Sequence, residues 1–339
     1  MHKIAPAQLL SIVVPTCNRS DFIDFFLQTH IPVVEPYGIT IHISDNASTD
    51  DTVEVIEKWQ KCYAHLHFSS LEEHIWEGVQ NYEKALSMST TEYTWLIGDS
   101  YEIPDTTLDY VLNILSATET HYEFMVLNLV NQLRDIPERV YTEPNAVLED
   151  LAWMMGCVGC TIFHRSVISN FMFQKERVQS SACAFCHVSF VLRYMANYNA
   201  SLYWVQSSSI VTLKTRQRKH GWGDTLFWLL FDSWPQTINS LPEQFSENSK
   251  NIALRVPANS KLLGWRNIVN LRAQNALNSE KYTEYCGKME TIEADSIRLF
   301  MRVVLLVPVP VCKAIISGIE WARRKKYQIS KILNPDLVL

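Results

Sequence analysis

Three short apolar runs in this chain end in residues able to bind or to transfer protons. Leu9 to Val14 leads into Pro15-Thr16-Cys17-Asn18-Arg19. Ile39 to Ser44 leads into Asp45-Asn46-Ala47-Ser48-Thr49-Asp50, and Tyr93 to Ile97 leads into Gly98-Asp99-Ser100. A carboxylate at the carboxyl end of a strand, just before a helix, sits where open α/β sheets bind nucleotides. Asp45 is the foremost candidate on that ground. A second reactive stretch is basic: Lys214-Thr215-Arg216-Gln217-Arg218-Lys219-His220-Gly221-Trp222-Gly223-Asp224. Such a density of cations in an otherwise acidic chain points to phosphate. Cys157-Val158-Gly159-Cys160 and Cys183-Ala184-Phe185-Cys186 have the spacing of paired zinc ligands. The first pair, however, is embedded in an apolar, strand-like run, where free cysteine acts as a small hydrophobe.

The elements that must position these residues follow from periodicity. Ile39, Ile41 and Ile43 alternate with polar neighbours and predict a strand, and Thr49 or Asp50 is placed to cap a helix over Thr52 to Trp59. Ser20 or Asp21 can cap a helix over Phe22 to His30, and Asp105 one over Leu108 to Leu115. Further strands are expected near His65 to Phe68, Phe124 to Leu129, Gly159 to His164 and Ser201 to Leu213. Helices are expected over Val79 to Met88, Glu149 to Met155 and Val188 to Tyr198. This alternation predicts an α/β fold, a mostly parallel sheet with helices on both faces. Beyond Pro235, Leu262 to Asn278 and Lys281 to Phe300 read as helices without strands between them. A boundary is therefore expected near 235–240, dividing residues 1–235 from a helical region 236–339.

At 339 residues the chain can bury a full core, and 47% hydrophobic with 19% charged residues is ordinary for a globular protein. A formal net charge of −6 argues against a general nucleic-acid binder. Met1 to Gln8 has no apolar signal-peptide core, so a cytoplasmic location with reduced thiols is expected. In the tail, Val303 to Val311 is interrupted by Pro308 and Pro310, whereas a spanning helix needs roughly 20 apolar residues. Ala314 to Trp321 and the cluster Arg323-Arg324-Lys325-Lys326 then combine an apolar patch with positive charge. That combination predicts peripheral association with an anionic membrane surface, here the inner face of the cell membrane.

Together the three strand ends resemble those of the family 2 glycosyltransferases, enzymes of the GT-A fold, a Rossmann-like sheet flanked by helices. The resemblance covers roughly residues 9–215 and is specific in the first 110. It is strongest to the bacterial enzymes of O-antigen and capsular polysaccharide synthesis. It implies an inverting transfer of sugar from a nucleotide sugar, in particular a UDP-sugar, to a glycan or polyprenyl-linked acceptor. By the same resemblance Pro15, Thr16, Asn18, Arg19, Asn46, Gly78, Asn81, Asp99 and Ser100 line the donor nucleotide. Asp45 would accept a hydrogen bond from uracil N3–H, a fitting role for a group that only accepts.

The same likeness implies that Arg216, Arg218 and Lys219 clamp the diphosphate, and that Mg²⁺ or Mn²⁺ is held by Asp99, Glu102 and His220. Here the chain departs from the usual Asp-x-Asp, because Tyr101 stands at its last ligand position and Glu102 offers the next carboxylate. The family's acidic catalytic base also has no counterpart at Cys183 to His187. His187 and Asp224 are the candidates, with Asp150 behind them. These departures leave a second reading open, a catalytically impaired sugar-nucleotide-binding protein on the same scaffold. Homo-oligomerisation is left open as well.

Overall fold

The computed structural model describes the chain except residues 1–3, 76–78, 118–120, 174–183, 214–222 and 334–339, and the side chains of 79, 131, 170–173, 223–224 and 326–333. Nine strands are present among the described residues. They are β1 (Leu10–Thr16), β2 (Ile41–Asp45), β3 (Leu66–Ser70), β4 (Tyr93–Leu96), β5 (Tyr101–Glu102), β6 (Phe124–Leu129), β7 (Arg139–Tyr141), β8 (Thr161–His164) and β9 (Leu202–Thr212). They join in the order β3-β2-β1-β4-β8-β6-β9-β5, with β7 also paired to β9. β1, β2, β3 and β4 run parallel, β8 runs against both β4 and β6, and β9 runs parallel to β6. The expected α/β sheet is therefore present, with β8 reversed near its middle.

Burial explains the sequence of the strands. Every residue of β6, Phe-Met-Val-Leu-Asn-Leu, is buried, as a central strand covered on both faces requires. In β2 the buried Ile41 and Ile43 flank the half-exposed His42, and the strand ends with Asp45 1% exposed. The proline in β1 is accommodated by geometry. Even-numbered β1 residues bond toward β2, as Ile12 N–H does to the Thr40 carbonyl, so Pro15 faces the β4 side. Pairing with β4 ends at Val13–Leu96, and the missing N–H of Pro15 breaks no bond there.

Two short strands, β5 and β7, and the Arg165–Phe173 helix carry no sequence signal long enough to have been anticipated. β5 matters because it follows the Gly98 to Ser100 turn directly and fixes it. Tyr101 and Glu102 pair antiparallel with Thr212 and Val211 of β9, and Leu213 N–H bonds to the Ser100 carbonyl at 2.8 Å. His30, in the Ser20–Val34 helix, secures the other side of this segment. Its Nδ1 donates to the Phe26 carbonyl at 2.7 Å and its Nε2 accepts from Ile103 N–H at 3.0 Å. Both ring nitrogens are thus used by the neutral form, and burial lowers the His30 pKa to about 4.

The chain divides into two units that interleave in sequence: residues 1–218 with 236–253, and residues 219–235 with 254–339. Segment 236–253 belongs to the first unit for a physical reason. Asn145 bonds to the Gln244 carbonyl (3.1 Å) and Ser246 N–H (2.9 Å), and Glu149 accepts from Ser249 Oγ (2.6 Å). The second unit is helical. Its Asp295–Leu305 and Val309–Leu333 helices are separated at Pro308, and Val309–Leu333 packs on Trp265–Ala273. Among the described residues no single helix is long and apolar enough to cross a membrane. Asp295–Leu305 and Val309–Lys325 reach that length only together, across a 111° bend.

The His30 arrangement has a pH consequence. Its native pKa lies below the unfolded value of about 6.5, so between pH 6.5 and 4 the unfolded chain binds the extra proton. Stability is therefore complete above pH 6.5 and falls as pH is lowered toward 4, by up to roughly 3 kcal/mol from this residue. Urea unfolding across that range should be less steep in pH for His30→Gln, whose amide can make both bonds without titrating. An unchanged slope would contradict this assignment.

Candidate active site

The carboxyl ends of β1, β2 and β4 converge on one hydrogen-bonded group. Thr16 and Asp45 are direct neighbours across the β1–β2 ladder. Thr16 Oγ1 donates to Asp99 Oδ2 at 2.8 Å, and Arg19 Nε reaches the same oxygen at 2.8 Å. Asp99 is 5% exposed, and burial pushes its carboxyl above the usual range while Arg19 and Thr16 pull it part of the way back. The Arg19 guanidinium is itself seated over the Phe22 ring, 3.8 Å from its centroid. The strand ends expected to share one hollow are therefore in contact.

The loops between them are braced by polar side chains. Asn18, at φ 51°, accepts through Oδ1 from Thr49 N–H (2.7 Å) and Asp50 N–H (3.3 Å), while its own N–H donates to Ser48 Oγ at 2.7 Å. Asn tolerates this left-handed conformation better than most residues, whereas Ala47, at φ 50°, adopts it at a cost of about 1–2 kcal/mol. Asp50 accepts from both Thr52 N–H and Ser20 N–H at 3.1 Å, so one carboxylate serves the starts of two helices. Burial raises the Asp50 pKa, yet these hydrogen bonds outweigh it and leave the group below its ordinary value. No side chain at Ser20 or Asp21 caps the first of those helices, contrary to the sequence expectation. Arg19 is its N-cap, and Asp50 from the neighbouring loop supplies the acceptor.

Asp45 holds its own loop in shape, with Ser48 N–H at 3.1 Å on Oδ2 and the Ser48 hydroxyl on Oδ1. Two bonds do not exhaust a carboxylate's roughly four acceptor directions. Asn46 exchanges both amide groups with Ile75, donating to its carbonyl at 2.8 Å and accepting its N–H at 2.9 Å. Asn81 accepts from Ser44 Oγ at 2.7 Å and donates to the Thr16 carbonyl at 3.4 Å. Ser48, Ile75 and Ser44 were missed in the sequence because such contacts join residues 3 to 37 positions apart without any periodic signature.

The other expected site residues separate into distinct cases. Gly78, Arg216, Arg218, Lys219 and His220 lie outside the described residues, as does the Asp224 side chain, whose backbone begins the Gly223–Trp228 helix. His187 is 2% exposed, and its Nε2 donates to the Met155 carbonyl at 2.9 Å. Burial lowers its pKa to about 4. Nδ1 carries the lone pair, but it is buried with no hydrogen-bond partner, and the Tyr82 ring stands edge-on 5.7 Å away. A base must reach an acceptor that arrives from solvent, and this ring is enclosed. Asp150 is engaged by Arg139 and Tyr141, both at 2.8 Å. Tyr141 pairs with the first residue of β9, the end opposite to the one that pairs with Tyr101.

The expected metal set also differs in its surroundings. Tyr101, at the last-ligand position, is a half-buried residue whose phenol lies beside Cys157, its pKa pushed well up by desolvation, and so offers no carboxylate. Asp99 has Arg19 as its immediate cationic partner. Of the expected ligands, Asp99 and the half-buried Glu102 are carboxylates among the described residues, and Mg²⁺ commonly takes one or two carboxylates and completes its shell with water and phosphate oxygens. Among the described residues seven cysteines, Cys157, Cys160 and Cys186 included, are free thiols, and Cys183 lies outside those residues.

Residues 11–172 match the model of Glycosyl transferase family 2. Over that segment, just under half of its length, the chain is similar to the family 2 glycosyltransferases. A curated relative, the abequosyltransferase RfbV of Salmonella typhimurium, is 31% identical over 110 residues. That alignment spans 30% of this chain and only 33% of the relative. Among solved structures, the mannosyltransferase PcManGT of Pyrobaculum calidifontis, in complex with GDP-Man and Mn²⁺, superposes with a TM-score of 0.50 at 16% identity over 88% of this chain and 86% of its own. Residues 1–349 of S. aureus TarS give a TM-score of 0.48 at 14% identity, over 88% and 90% of the two chains. The segment matched to family 2 runs from the start of β1 past β8, and so contains all three converging strand ends.

The Arg19–Asp99 pair is directly testable. Arg19→Ala strips a buried carboxylate of its compensation and should cost about 1–3 kcal/mol, less than a fully buried pair because Arg19 is a third exposed. Adding Asp99→Asn should recover much of that loss in urea unfolding. If the double variant is no more stable than Arg19→Ala alone, the pair does not matter as described.

Proposed function

We propose that the protein is an inverting glycosyltransferase that moves a sugar from a nucleotide sugar, a UDP-sugar first among them, to a glycan or polyprenyl-linked acceptor in bacterial surface polysaccharide synthesis, O-antigen or capsule. The observation that carries this reading is the Thr16–Asp99–Arg19 contact beside Asp45, which unites three strand ends of the segment similar to family 2. Asp45, buried at the floor of its loop, accepts the imide N–H of the base. Asp99 is set for the ribose hydroxyls. Arg19 bonds Asp99 through Nε, and its two terminal amino groups make no hydrogen bond to the described residues. They are available for the diphosphate, where a guanidinium fork suits paired phosphate oxygens. A divalent cation on Asp99, of the kind named in the PcManGT complex, would add charge compensation for the departing nucleoside diphosphate. Of the two foremost base candidates, the enclosed His187 is disfavoured and Asp224 is retained.

Turnover against a panel of nucleotide sugars, with oligosaccharide and polyprenyl-linked acceptors, tests the reading. Acceptor-dependent release of nucleotide is expected. Donor binding with no release under any condition would instead favour the impaired sugar-nucleotide binder. By calorimetry Asp45→Ala should weaken UDP by roughly 1.5–3 kcal/mol, the worth of a hydrogen bond to a charged acceptor. Asp224→Asn should lose turnover and keep UDP affinity. An Asp45→Ala protein that binds UDP as before would remove Asp45 from the nucleotide.

The same proposal includes a seat on the inner face of the cell membrane. Leu299, Val303, Leu306, Val311, Ile315 and Trp321 are exposed on the two C-terminal helices. Arg323, Arg324 and Lys325 follow, also exposed. Apolar surface beside cationic charge binds anionic lipid, at about 1 kcal/mol per basic residue near the surface. Truncation before Val303 should abolish co-sedimentation with phosphatidylglycerol vesicles. A truncated protein still found with the vesicles would end this part of the proposal.

A further inference from the structure

Among the described residues, Glu92, His121 and His164 are the one group of three His, Cys, Asp or Glu side chains whose ligating atoms all lie within 4.8 Å of one another. We propose that these three residues form a zinc site, separate from the donor site and at the opposite end of β4. Glu92 directly precedes β4, His164 ends β8, and His121 lies three residues before β6. Strand pairing brings them together, since Tyr93 faces His164 across β4–β8 and Phe124 faces Phe163 across β6–β8. Asp99 lies seven residues beyond Glu92 along the same strand and turn, about 20 Å away at the rise of an extended chain.

The chemistry of the set favours zinc. Two imidazoles and one carboxylate are a ligand combination that zinc accepts in tetrahedral geometry, with water in the fourth position. Metal–ligand distances of about 2.0–2.2 Å put tetrahedral ligand atoms roughly 3.3 Å apart. Glu92 Oε1 and His164 Nε2 already stand 2.9 Å apart, and the His121 and His164 rings are 5.4 Å between centroids. His164 Nδ1 lies 2.8 Å from Ser166 Oγ and accepts from Ser166 N–H at 3.3 Å, so zinc at Nε2 requires the other tautomer, in which Nδ1–H donates to Ser166 Oγ and Nε2 carries the lone pair. The other oxygen of Glu92 faces Arg165 Nη1 at 3.6 Å, too long for a hydrogen bond and so a weak competitor. His121 is exposed, and its ring makes no hydrogen bond to the described residues. A simple Glu92–His164 pair would give this third residue no role, whereas a zinc ion would bridge the ends of three adjacent strands.

The test uses metal-stripped full-length protein and Zn²⁺ alone, read by calorimetry and by thermal unfolding. The wild type should bind one equivalent and unfold at higher temperature with zinc. His121→Ala should unfold like the wild type without zinc and bind it more than about 100-fold more weakly, since even partners outside the coordination sphere are worth about 10–100-fold. Glu92→Gln should also lose the site, and Asp99→Asn should keep it. Co²⁺ should give the visible absorption of a tetrahedral nitrogen–oxygen site without thiolate charge transfer. No one-equivalent site in the wild type, undiminished binding in His121→Ala, or a thiolate–cobalt band would each overturn the proposal.

Discussion

A buried carboxylate needs a partner, and the first unit of this protein is arranged around supplying one to Asp99. The residue lies in the turn after β4 at 5% exposure, where an ionised group left alone would be costly. Thr16 from the end of β1 and Arg19 from the following turn both bond to its Oδ2. Since the Arg19 N–H is fixed by Thr52 Oγ1 and the Ser20 N–H by Asp50, the cation that compensates Asp99 is positioned by the loop after β2. Charge at one strand end is thereby tied to backbone geometry at the other two. This is why the three loops behave as one object.

The bracing residues explain a second feature. Asn18 and Ala47 both adopt left-handed backbone, and the Asn18 N–H bonds the hydroxyl of Ser48, the residue after Ala47. Strained conformations survive only where surrounding bonds over-determine them, and here each loop supplies the other's bonds. A ligand-binding rim built this way is rigid before the ligand arrives, which reduces the ordering cost of binding.

Much of this architecture was legible because it rests on period and on local caps. The alternation of Ile39, Ile41 and Ile43 marks β2, and the apolar run from Phe124 to Leu129 marks β6 at its observed ends. The turns after β1, β2 and β4 announce themselves through small and acidic residues. What escaped the sequence depends on contacts distant along the chain. Nothing in Cys157 to His164 signals that β8 runs antiparallel between β4 and β6. Nothing near Pro235 signals that segment 236–253 returns to the first unit through Asn145 and Glu149. His187 attracted attention as a base because an unburied imidazole titrates near neutrality. Its enclosure beneath Met155 and Tyr82, a tertiary fact, removes that property.

The replacement of an acid by Tyr101 takes its meaning from the same tertiary setting. In a bare motif the change reads as the loss of a metal ligand. In the folded chain Tyr101 and Glu102 form β5, which pairs with the end of β9 and fixes the turn that presents Asp99. Tyr101 is half-buried with its phenol beside Cys157, where desolvation raises the pKa and so would also disfavour an ionised carboxylate. Packing at this position thus favours a neutral side chain. Arg19 brings a permanent positive charge to the remaining acid. The guanidinium held on Phe22 compensates Asp99 directly, and any divalent cation at Asp99 acts beside this resident charge.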